Sequence, residues 1–93
     1  MADADLPMAA LEAWRAYQAM DASKQRHFQY LTELDDRYGA DARASEPEKR
    51  RLQELLDEHD RCVFAFKQAV QVLKTKDPAA HRTLVDRLAQ ARF

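Results

Sequence analysis

His27, His59 and Cys62 are the residues of this chain whose types could carry site chemistry. Imidazole nitrogen and thiolate sulfur are ligands that zinc and copper prefer. His59 and Cys62 stand three residues apart, on one face of a helix, and antiparallel pairing with the preceding helical region brings His27 beside them. The set falls one ligand short of a closed tetrahedral site, and no CxxC or HExxH spacing occurs. Polar residues in a helical seam also fix register, so the three are read first as packing residues. A small metal- or redox-sensing protein built on them is the alternative. Cys62 as a nucleophile would need a base, an orienting acid and a cleft. Asp57, Glu58 and Asp60 flank His59, but a carboxylate run along a helix flank is ordinarily a solvated face. No nucleophile elbow or phosphate loop appears, so no enzyme activity and no cofactor are expected.

Two further groups invite a binding role. Lys49, Arg50 and Arg51, with Arg43 nearby, form a small basic cluster at a helix start, where positive charge opposes the macrodipole. That mismatch suits an acidic partner or phosphates, although Arg50 with Glu54 and Asp57 with Arg61 also have the four-residue spacing of ordinary surface pairs. Phe64 and Tyr30 lie off the apolar stripes of their helices, as does Val72. Several such residues on a small protein imply a second buried surface. Tyr30, Phe64, Lys49, Arg50 and Arg51 are therefore the expected contacts for another protein.

The elements that must position these residues are legible. Ser45-Glu46-Pro47-Glu48 is a capping box with proline in the first turn. Leu52, Leu55, Leu56, His59, Cys62, Val63, Phe66, Ala69, Val70 and Leu73 then recur at three- and four-residue steps, which predicts a helix from about Glu46 to Lys76. An earlier helix is predicted from about Leu6 to Tyr38, with an inner stripe of Ala10, Ala13, Trp14, Tyr17, Met20, Lys24, His27, Phe28, Leu31, Leu34 and Tyr38. It should run unbroken through residues 20–24, because neither Gly nor Pro interrupts it. Gly39, the sole glycine, stands where a left-handed terminator belongs. Asp77-Pro78 should end the second helix and cap a third, about 78–91, with Leu84, Val85 and Leu88 inward.

A short loop between two long helices gives an antiparallel hairpin. With the turn near residue 45, facing residue numbers sum to about 90. Tyr38 then faces Leu52, Leu31 faces His59, Phe28 faces Cys62 and Tyr17 faces Leu73. The fold class is thus all-α: one helical domain over residues 6–93, a hairpin of two long helices with a short third helix over its open end, after a disordered stretch at 1–5. Apolar surface that one hairpin cannot bury predicts pairing into a four-helix-bundle homodimer.

Composition narrows the function further. Fifteen basic residues nearly balance 16 acidic ones, for a net charge of -1. A nucleic-acid binder ordinarily shows a basic excess, so a nucleic-acid-associated regulator using residues 49–51 is the weaker alternative. One cysteine permits no disulfide within the chain, which fits a reducing compartment. The segment MADADLPMAALEAW has acids where a secretory signal has basic residues, and no stretch approaches ~20 apolar residues. The expectation is a cytoplasmic, non-enzymatic interaction module, an adaptor or regulator that meets another protein through a helical face and does not enter a membrane.

Overall fold

A computed structural model describes residues 6–39 and 44–91. They form three helices: α1 (Met8–Tyr38), α2 (Glu46–Lys76) and α3 (Pro78–Ala91). The expected disorder at 1–5, most of the first loop and Arg43 lie outside the described residues. Helix α1 is continuous through residues 20–24, as the absence of Gly and Pro predicted. It begins at Met8, two residues later than expected. A residue preceding proline is disfavoured from helical torsions, so Leu6 stays outside the helix, and its side chain is buried in the core instead.

Local chemistry explains each boundary. The Ser45 hydroxyl accepts from the Glu48 N–H at 3.3 Å, and the Glu48 carboxylate accepts from the Ser45 N–H at 2.8 Å, completing the capping box. Gly39 has φ 64° with ψ -148°, and its N–H donates to the Asp35 carbonyl. The positive φ was expected, but the ψ lies far from the left-handed helical well, in a region essentially reserved for glycine. A Cβ at Gly39 would meet nothing within 4 Å, so torsion rather than space selects the residue. Asp77 serves both of its neighbours. Its N–H donates to the Leu73 carbonyl at 2.8 Å, and its carboxylate accepts from the Ala80 N–H at 3.1 Å. One residue thereby closes α2 and opens α3.

Helices α1 and α2 form the antiparallel hairpin, and α3 packs across its open end. The core sits there: Leu6, Ala10, Ala13, Trp14, Leu73, Ala80 and Leu84, flanked by Leu11, Tyr17, Ala69, Val70 and Leu88. Trp14 stacks on Tyr17 at 5.5 Å between ring centroids, and Tyr17 meets Phe66 at 5.8 Å. Val85, expected inward, is exposed at the edge of α3.

The register differs from the expected one. Tyr17 faces Phe66, Ser23 faces His59, Arg26 pairs with Glu58, and Tyr38 bonds Glu48. These residue numbers sum to between 82 and 86, not 90, a slip of one to two helical turns. The cause is the first loop. With helix ends at Tyr38 and Glu46 the turn is centred near residue 42, and the capping-box carboxylate pins Tyr38 beside Glu48.

The seam of α1 is corrected with it. Met20, Ser23, His27, Tyr30, Leu34 and Tyr38 are buried or half-buried, whereas Lys24, Phe28 and Leu31 are exposed. From Met20 to Leu34 the buried set follows the alternating three- and four-residue steps of a supercoiled pair. The expected stripe drifted off that line because a straight 3.6-residue helix rotates away from a partner by ~20° per heptad.

Candidate interaction site

Of the His27, His59 and Cys62 group, His59 is the member that meets a seam residue of α1. Ser23, 1% exposed, donates its hydroxyl proton to the Met20 carbonyl at 2.7 Å. A hydroxyl has one proton, so at the 2.9 Å contact with His59 it accepts from the ring Nδ1–H. A small polar residue on α1 thus lets the helices approach and orients the imidazole of α2. His27 lies beside Phe28, with ring centroids 5.8 Å apart, and Cys62 is a half-buried free thiol. Among the described residues, no group of three or more His, Cys, Asp or Glu is placed to hold a metal ion.

The basic start of α2 is laced into its own helix. Lys49 pairs with Glu46 at 3.5 Å and Arg51 with Glu54 at 3.6 Å, all well exposed. The anticipated Arg50–Glu54 and Asp57–Arg61 pairs do not form; Asp57 instead accepts from the Gln53 amide at 2.8 Å. Acids at Glu46 and Glu48 offset the basic residues at the helix N-terminus.

Glu48 is the polar centre that sequence reasoning missed. Beyond closing the capping box, its carboxylate accepts from the Tyr38 hydroxyl at 2.5 Å and pairs with Arg37. The Tyr38 hydrogen bond, followed by the Ser45 backbone N–H, lowers the Glu48 pKa from 4.5 to about 2. Its charge in turn raises the pKa values of Arg37 and Tyr38, mainly through those same hydrogen bonds. The signal was present as Arg37-Tyr38 and the box glutamate at opposite ends of one loop, but only the correct register joins them.

Tyr30 and Phe64 are parted by that same register. Tyr30 is half-buried against the seam and shares a small polar hollow with Arg26, Gln29, Glu33, Arg51 and Leu55. Phe64 stands near the middle of α2, 64% exposed, on the lip of an apolar furrow that reaches toward the open end. Alanines form the furrow's floor, Ala9 and Ala13 from α1 with Ala65 and Ala69 from α2. Val72, 48% exposed, lines the same furrow two turns further along α2, with Glu12, Lys76 and Asp77 at the rim. Small side chains between two helices leave a channel, and two large exposed apolar ones raise its wall. The expected contact set therefore divides into an apolar furrow at Phe64 and a polar hollow at Tyr30 and Arg51, with Lys49 and Arg50 exposed at the turn end.

No helix among the described residues is long and apolar enough to cross a membrane. Compared with protein-family models, with curated proteins and with solved structures, the chain matches none.

Proposed function

We propose that the protein is a non-enzymatic interaction module that takes an apolar helix of another protein into the furrow beneath Phe64. The observation that carries this reading is the placement of Phe64 and Val72, both exposed, along a floor of four alanines. Helix-in-groove recognition uses this combination: a channel lined by small side chains, which leaves room for apolar anchors, and an aromatic residue at its edge to pack against them. Glu12, Lys76 and Asp77 at the rim supply both signs of charge for orienting the incoming helix. The reading places the module, as adaptor or regulator, in a reducing compartment such as the cytoplasm, where its single cysteine stays a thiol.

The test is site-specific photo-cross-linking in cells, with a photoreactive aromatic residue in place of Phe64. A discrete adduct with a second protein is expected, lost when Ala65→Glu fills the floor with charge. The same probe at exposed Gln18 should give no such adduct. Adducts of equal pattern from Gln18 and Phe64, or survival of the Phe64 adduct with Ala65→Glu, would overturn the reading.

A further inference from the structure

Helix α3 covers only part of one broad face of the hairpin, and the remainder repeats the positions that α3 covers. Trp14 is buried in the core, and Val70 packs against it while lining the groove with Leu84 and Leu88 of α3. Two heptads along α1 from Trp14 stands Phe28, 52% exposed; two heptads back along α2 from Val70 stands Leu56, also exposed. Positions fourteen residues apart in a supercoiled pair share a face. Leu31 holds the same relation to Tyr17 and is exposed as well. The long helices span about 46 Å and α3 about 21 Å, so roughly half of this face has no covering helix.

Charge on this uncovered half identifies its occupant. Its stripe on α1 reads Lys24, Phe28, Leu31, Asp35, and its stripe on α2 reads Lys49, Gln53, Leu56, Asp60, with identical four-, three- and four-residue steps. All eight residues are exposed. Each stripe has a lysine at one end and an aspartate at the other, with Phe28 and Leu31 between them on α1 and Gln53 and Leu56 on α2. Such a stripe is complementary to its own antiparallel copy: Lys24 meets Asp35, Phe28 meets Leu31, and Lys49 meets Asp60. One two-fold axis must serve both stripes at once, which requires their midpoints to lie at the same height. The midpoints fall between Phe28 and Leu31 and between Gln53 and Leu56. Those positions face each other in the hairpin register set by the Arg26–Glu58 pair.

We infer that a second copy of this chain occupies this half-face, giving a staggered two-fold dimer in which only the turn-end halves of two hairpins form a four-helix bundle. Half of the 50 × 24 Å face is roughly 600 Å² per copy, which reaches the lower bound of a specific interface. The intrachain pairs Lys24–Asp21 and Lys49–Glu46 are exposed three-residue pairs at 3.5 Å, and both lysines can exchange these partners for the dimer's. This surface lies across α2 from the Phe64 furrow, since Val72 is about 200° around the helix from Val70. The two readings can therefore fail independently.

The test swaps charges on the full chain. One variant carries Lys24→Glu with Lys49→Glu, the other Asp35→Lys with Asp60→Lys. All four positions are exposed, so both variants should match the parent in helicity. By sedimentation equilibrium at tens of micromolar the parent should show twice the 10.8 kDa chain mass. Each variant alone should dissociate on the order of tenfold or more readily, and an equimolar mixture should recover the dimer as a heterodimer. A monomeric parent, variants that dimerise as the parent does, or a mixture that stays monomeric would each overturn the proposal.

Discussion

At the scale of single residues, the polar groups of this protein act mainly in positioning. Ser23 spends its proton on the preceding turn and accepts one from His59, and Glu48 gathers Tyr38, Arg37 and Ser45 around one carboxylate. Glu48 has a direct pH consequence. Its folded pKa of about 2 lies below its ordinary value of 4.5. The stabilisation is therefore complete above the ordinary value and is lost as the pH falls through that interval toward the folded pKa. Thermal melts between pH 5 and pH 2 should show a shallower decline for Glu48→Gln than for the parent. Parallel declines would mean that the carboxylate has no more partners folded than unfolded.

At the scale of elements, the hairpin register decides which side chains can meet. Cys62 lies one turn beyond His59, and His59 faces Ser23, so the position facing Cys62 is Met20. Met20→Cys should form a disulfide with Cys62 under mild oxidation, since bridging needs Cα atoms within ~7 Å. Phe28→Cys should not, because Phe28 points off the seam. Mass spectrometry of the oxidised proteins distinguishes the two, and a bridge from position 28 would restore the register in which numbers sum to about 90. The boundaries themselves were legible in sequence. Ser45, Pro47, Glu48, Gly39, Asp77 and Pro78 each act within a few residues of their own position, so their effect needs no knowledge of the partner helix.

At the scale of the whole molecule, the chain is long and thin, with extents of 50 × 24 × 17 Å. Its radius of gyration is 16.8 Å, against about 12 Å for a compact domain of this length. Nearly all of the fully buried apolar residues gather at the open end under α3, and Leu55 is buried apart from them. Stability should therefore be concentrated there. Leu84 has no exposed surface, and Leu84→Ala should cost about 2–5 kcal/mol in chemical denaturation. Phe64→Ala should change stability by no more than about 0.5 kcal/mol, because its side chain is mostly in water. Equal losses from the two substitutions would place Phe64 in the core and remove the furrow as a binding surface.

By itself the sequence determined the three helices, the boundaries set by Gly39, Ser45 and Asp77, and the hairpin, because capping and amphipathic periodicity are local properties and three helices of these lengths have few ways to bury their stripes. What only the tertiary structure decided is where along and around each helix the partner lies. A loop whose middle is a few residues earlier than supposed moves every facing pair by one to two turns, and supercoiling carries the seam from Lys24, Phe28 and Leu31 to Ser23 and Tyr30, on either side of His27. That shift put Ser23 against His59, gathered the turn around Glu48 and parted Tyr30 from Phe64. It also left Phe28, Leu31 and Leu56 outside, beyond the reach of α3. Small errors of phase accumulate along a 31-residue helix, and only packing against a second helix fixes them.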